Sequence, residues 1–131
     1  MSKCRVVGEL NKAELDILEK KRPEFARTIT ETKVFMWEDR LSHIEKHRPN
    51  YKQTADLDRY ISQIQEIIEE PDYLGVRDSD NSLQFIKHLE DNVPIAVRLT
   101  VKGKLYLRTM YPVTDSQIND YLRKGTAWVL R

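Results

Sequence analysis

Apolar residues in this chain follow a helical period up to Pro71 and a period of two after it, and that switch constrains the fold more than any other feature. Before the switch, Leu57, Ile61, Ile64 and Ile68 fall at i, i+4, i+7 and i+11, with Tyr60 and Ile67 alongside, which predicts a main core helix over residues 54–69. After it come a short strand at Tyr73–Val76, a turn at 77–81, and strands over about 82–89, 95–101 and 104–112. Helices that precede a run of adjacent strands cannot build alternating βαβ units. The expected class is therefore α+β, with N-terminal helices packed on a mostly antiparallel sheet, in one domain over residues 1–131.

Local signals set the element ends. Asn11 followed by Glu14 reads as a capping box, with Leu10 and Leu15 as its hydrophobic staple, so a helix starts there and stops before Pro23. Leu15 and Leu18 would form its buried stripe. Residues 27–36, rich in Thr, read as extended, and a second helix is expected over about Trp37–His47, ended by Pro49. Thr114 and Gln117 form another capping box, Gly125 suits the left-handed stop of that helix, and Trp128–Leu130 suits a closing strand.

The segment around Gly103 reads as a hairpin with a three-residue loop, Val101–Lys102–Gly103, in which Gly103 takes the left-handed position. That register sets Val97 against Leu107, Leu99 against Leu105, Arg98 against Tyr106 and Ala96 against Arg108. One face is then apolar and the other carries Arg98, Thr100, Lys104, Tyr106 and Arg108. Such a face is either simply solvated or a phosphate-binding surface, because arginine stays charged and grips phosphate oxygens in a fork.

With 131 residues and 40% hydrophobic content the chain can bury a core without staples, and Cys4, its single cysteine, excludes an internal disulfide or a multi-cysteine zinc site. No apolar run is long enough to span a bilayer and no secretory h-region opens the chain, so the expected setting is the cytoplasm, with no membrane partner. The formal net charge of +1 conceals a division: residues 1–53 carry +3, 54–92 carry −7 and 93–131 carry +5. The basic excess falls on the hairpin and C-terminal segment, a local footprint that suits a polyanion.

On the second helix Arg40, His43 and His47 fall within about 60° of one another at 100° per residue. Trp37, Leu41 and Ile44 take the adjacent arc and should face the core, which leaves the histidines on the border of a cleft. Three readings compete: a metal site, locally hydrogen-bonded structural histidines, and acid–base chemistry near neutrality. The metal reading lacks the Glu that a metalloprotease helix places after its first His, since Ile44 stands there, and only His88 remains as a third imidazole. No cofactor is called for.

The stretch Glu38-Asp39-Arg40-Leu41-Ser42-His43-Ile44-Glu45-Lys46-His47-Arg48-Pro49 resembles a signature of the phage-associated barnase–EndoU–colicin–RelE-like nuclease domains. Further stretches resemble the same family in the same order: Val7–Leu10, Glu70–Leu74, Asn81–Lys87, Val97–Leu99 and Arg108–Tyr111. The resemblance implies helices on an antiparallel sheet and a metal-independent endoribonuclease, of the kind found in phages, mobile elements and bacterial toxin systems. Such an enzyme uses the RNA 2′-OH as its nucleophile and leaves a 2′,3′-cyclic phosphate. On that basis His47 is expected as the principal acid–base residue, with His43 as second candidate or orienting partner. Arg98 and Lys87 would hold the scissile phosphate, and Thr109 matches the family threonine. Thr109 falls opposite Arg98 in the simple hairpin and needs a bulge or strand end to reach it; Lys87 alternates with His88, so only one of them can face the site. Tyr106, Arg108, Lys104 and Arg40 would bind flanking substrate, with a salt bridge from Arg40 to Asp39, Glu70 or Asp72 as the structural alternative. The expected partners are RNA, such as tRNA or another structured RNA, and a cognate inhibitor or immunity protein, in the producing cell or in the cytoplasm of a target cell. The alternatives are a non-catalytic RNA- or protein-binding domain and a structural adaptor that uses the acidic middle of the chain.

Overall fold

A computed structural model describes residues 3–130. Its strands are β1 (Cys4–Glu9), β2 (Lys33–Trp37), β3 (Tyr73–Arg77), β4 (Ser82–His88), β5 (Asn92–Leu99), β6 (Leu105–Met110) and β7 (Ala127–Val129). The helices are α1 (Lys12–Lys21), α2 (Pro23–Thr28), α3 (Arg40–Glu45), α4 (Asp56–Ser62), α5 (Ile64–Glu69) and α6 (Asp115–Lys124). The strands make one sheet in the order β1-β2-β6-β5-β4-β3-β7. Every pairing is antiparallel except β2 with β6, which touch in parallel at Val34–Leu105 and Phe35–Tyr106. The class is α+β with a mostly antiparallel sheet, as the change of period implies. Among the described residues no helix is long and apolar enough to cross a membrane.

Alternation along the strands sorts the sheet into two faces. Val93, Ile95, Val97 and Leu99 of β5 join Leu83 and Phe85 of β4 in the main core, under Leu18 of α1, Leu57 and Tyr60 of α4, and Ile67 and Ile68 of α5. Each such side chain taken fully from water contributes about 1.5–3 kcal/mol. The opposite face holds a smaller cluster, Ile86 and Val113 under Ile118 of α6, with Tyr73, Tyr111 and Tyr121 packed on it. That cover is partial, and Arg98 and Arg108 remain exposed.

Both capping boxes form. The Asn11 side chain accepts from the Glu14 amide and the Glu14 carboxylate from the Asn11 amide, while Thr114 and Gln117 do the same for α6. Gly125 closes α6 at φ 74° and Gly103 turns the hairpin at φ 83°. A Cβ at Gly103 would also sit 2.4 Å from the Thr28 carbonyl oxygen, so the turn is restricted to glycine by its packing as well as its backbone.

Several sequence expectations need correction. Residues 23–28 form α2 where an extended segment was expected from residue 27, because Pro23 sits at a helix start, where its missing N–H costs nothing. Trp37 ends β2 and is 45% exposed, not a core residue on a helix; α3 begins only at Arg40. The helix expected over 54–69 is divided at Gln63 into α4 and α5. In the hairpin the pairs 97–107, 98–106 and 99–105 match the expected register, but Ala96 lies opposite Thr109, with a bulge leaving Arg108 without a partner.

Glu14 shows the cost of one cap. It is fully buried and its Oε2 has no hydrogen-bond partner. Burial pushes its carboxyl from 4.5 up to about 8, the Asn11 amide opposing this and the nearby Glu69 adding to it. The unfolded chain ionises Glu14 from about pH 4.5 upward while the folded chain resists until about 8, so stability should fall as pH rises through that window. Glu14→Gln keeps the cap and removes the titration. Urea unfolding at pH 5 and pH 8 should show a loss for the native chain of a few kcal/mol and a much smaller one for the variant.

Candidate active site

The site is organised by the bulge in β6. Up to Leu107 the strand alternates regularly, with Leu105 and Leu107 in the core and Tyr106 beside Arg98 on the opposite face. The extra residue, Arg108, inverts the alternation that follows. Met110 then falls opposite Ile95 and is fully buried, while Thr109 falls opposite Ala96 and so joins the face of Arg98 and Tyr106.

Arg40 holds this irregularity. Its Nε and Nη2 both donate to the Arg108 carbonyl, at 2.9 and 2.6 Å. The guanidinium is therefore engaged at a backbone oxygen, and neither of the two readings of Arg40, substrate contact or salt bridge to Asp39, Glu70 or Asp72, describes this contact. The same contact docks α3 against β6, past the two positions where β2 pairs with that strand.

Docked in this way, α3 and the turn that follows it bring His43 and His47 to the face of Thr109 and Tyr111. The rings of His43 and His47 meet edge to face at 5.8 Å between centroids, and His47 lies 6.1 Å from the Tyr111 ring. Gln84 Nε2 donates to the Tyr111 hydroxyl at 2.6 Å. Both histidines are half-buried, but only His43 is on the helix; α3 stops at Glu45, short of the expected end, and His47 lies in the turn before Arg48. Partial burial, together with the charges of Arg40, Lys46, His47 and Arg108, holds His43 below its ordinary 6.5. Desolvation, with Arg40 and Arg98 beside it, lowers Arg108, and Asp80 acts in the opposite sense. Tyr111 is raised by burial, which the Arg77 charge opposes. Arg108 thus influences His43 and is influenced by Arg98, while ring contacts join His43 to His47 and His47 to Tyr111. Among the described residues neither Arg98 nor Arg108 has an ion pair.

The other candidates lie elsewhere or play other parts. Lys87 belongs to the opposite side of β4 from Gln84, and its Nζ donates to the Glu70 carbonyl at 2.8 Å. His88 alternates onto the site's face but at its far end, where its Nδ1 meets Asn92 Oδ1 at 2.6 Å. Lys104 is exposed at the hairpin tip. Thr109 is on the expected face, but its Oγ1 is shielded from solvent and has no partner among the described residues. A cleft of about 500 Å³ near His88 is lined by Lys52 and His88 but also by Glu90, Asp91 and Asp115, a set poorly matched to phosphate. Among the described residues no three His, Cys, Asp or Glu side chains gather as metal ligands do. Sequence reasoning passed over Gln84, although a lone amide in the run Leu83-Gln84-Phe85-Ile86 was its visible signal.

In comparisons with known proteins, a family model described as phage-Barnase-EndoU-ColicinE5/D-RelE like nuclease 3 matches residues 8–120. No curated protein and no solved structure matched the chain.

Arg40→Ala should loosen the bulge before it unfolds the protein. We expect a stability loss of about 1–2 kcal/mol in denaturant, and faster amide exchange at Thr109 and Met110 than in α4. Equal exchange at those amides in variant and native chain would show that Arg40 does not hold the strand.

Proposed function

The chain belongs to the phage-Barnase-EndoU-ColicinE5/D-RelE like nuclease 3 family, and from that premise we propose that it cuts RNA endonucleolytically without a metal. The observation that carries this reading is the grouping of two imidazoles with two unpaired arginines on one side of the sheet, around a bulge pinned by a third arginine.

In the proposed reaction the 2′-OH attacks the adjacent phosphorus and the P–O5′ bond breaks, giving a 2′,3′-cyclic phosphate and a 5′-OH. One group takes the 2′ proton and another gives a proton to the departing oxygen. His43, held toward its neutral form, suits the accepting role, which leaves His47 to protonate the leaving oxygen. Arg98 and Arg108 stabilise the charge that builds on the phosphate. Thr109, whose Oγ1 is shielded from solvent, would add a hydrogen bond only if substrate binding exposed it, and Lys87, engaged at Glu70, takes no part. Arg40 acts as a positioning residue, and Tyr106 and Lys104 meet the flanking nucleotides. A metal-free ribonuclease of this size suits a toxin or effector of a phage or mobile element, active in a cytoplasm and held in check by a cognate inhibitor.

The test is incubation of purified protein with tRNA and total RNA in EDTA, beside His47→Ala and Arg98→Ala. We expect cleavage by the native chain, a loss of about a hundredfold or more in each variant, and no cleavage of a strand with 2′-deoxy residues. RNA that is bound and left intact would reject catalysis in favour of a binding domain, and full activity in His47→Ala would reject the assignment of that residue.

The pH dependence tests the division of labour. A base must be unprotonated, so activity should rise with pH through the His43 titration, on a limb centred below pH 6.5. His43→Ala should remove that limb. A limb unchanged in the variant would assign it to another group.

A further inference from the structure

The row of side chains that contains Arg98 continues across the sheet edge in a way the nuclease reading does not use. Arg98 lies opposite Tyr106, Tyr106 beside Phe35, and Phe35 opposite Val6. Phe35 and Tyr106 are half-buried with ring centroids 5.7 Å apart and planes inclined by 36°. Trp37, two residues along β2 from Phe35, is on the same face and 45% exposed, and Val6 beside them is 50% exposed. Large apolar side chains that stand open on a sheet, next to unpaired cations, have a use. The strands beneath them, β2, β5 and β6, contain no acidic residue, while Lys33, Arg98 and Arg108 supply positive charge. A protein partner with a matching apolar patch would not need this charge. A polyanion whose bases present π-faces needs both.

We propose that Tyr106, Phe35 and Trp37 form a stacking platform for a single-stranded stretch of RNA, whose bases run from the scissile phosphate at Arg98 across β6 and β2 toward β1. The proposal rests on the nuclease reading and specifies its substrate: an unpaired loop, bulge or end, at least two nucleotides of which leave the site along this strip. Tyr106 and Phe35 stand on adjacent strands about 4.8 Å apart, and Trp37 extends the platform two residues along β2. A duplex keeps its bases stacked on each other and cannot present them to the rings.

The test uses a fluorescently labelled 2′-O-methyl RNA decamer, which lacks the nucleophile and so reports binding alone. Phe35→Leu with Trp37→Leu should weaken its binding by about fivefold or more per ring removed, and the native chain should prefer the single strand to its duplex by a similar factor. Trp37→Leu alone, at an exposed position, serves if the double variant does not fold by circular dichroism. Variant affinity within about twofold of native, or a duplex bound as tightly as the single strand, overturns the platform. So does a native chain that self-associates in sedimentation while Trp37→Leu is monomeric, because a second copy then covers the strip. Cleavage in EDTA is followed in parallel. Native cleavage with unaltered variant binding removes the platform and leaves the nuclease. Ring-dependent binding without native cleavage removes the nuclease and leaves the platform.

Discussion

Two hydrogen bonds from the Arg40 guanidinium to the Arg108 carbonyl organise both the core and the opposite face. Without the bulge they hold, regular pairing would continue from Val97–Leu107 to Ala96–Arg108 and Ile95–Thr109. Thr109 would then enter the core and Met110 would turn out beside Pro94. With it, Met110 fills the space against Ile95, and Thr109 and Tyr111 join the face of Arg98. The methionine's burial favours the bulge from the core side and the arginine favours it from α3. One inserted residue is thus fixed by packing on one face and decides which side chains stand on the other.

The electrostatics follow from the same arrangement. Arg40 donates to a carbonyl and not to a carboxylate, so it anchors α3 without bringing a negative charge beside Arg98 or Arg108. Arg40 and Arg98 both repel Arg108, and Arg40 and Arg108 add to the partial burial that holds His43 below its ordinary value. On the proposed reading a bound phosphate would relieve that repulsion. The acidic excess of residues 54–92 includes Asp58, which pairs with Arg48, and Asp91, which accepts from the Tyr60 hydroxyl. A nearly neutral chain can therefore present a basic face.

What the sequence showed plainly was local. Both capping boxes, the Gly103 turn and three of the hairpin pairs depend on residues within a few positions of each other, and each formed as read. The bulge was legible only as a condition, since Thr109 needed a bulge or strand end to share the face of Arg98; Arg40, which contacts it, is 68 residues from the carbonyl it binds. Trp37 was misread because Trp37, Leu41 and Ile44 fall at i, i+4 and i+7, the spacing of a buried helical stripe, yet Leu41 and Ile44 alone are on α3. The parallel contact of β2 with β6 joins segments 71 residues apart and left no pattern to read. Of the candidate site, residue types and order were legible; the face on which each side chain lies was decided by long-range contacts.

That parallel contact also sets an order of assembly. Strands β3 to β6 pair with their sequence neighbours and close short loops, whereas the β1–β2 pair joins the rest of the sheet only through β6, on which α3 also docks. A ribosome delivers the histidine segment first and the arginine strands more than fifty residues later. The two halves of the charged face therefore meet only after the hairpin has formed, and an unfinished chain holds His43 and His47 apart from the arginines. The topology makes that face the last part of the molecule to be completed.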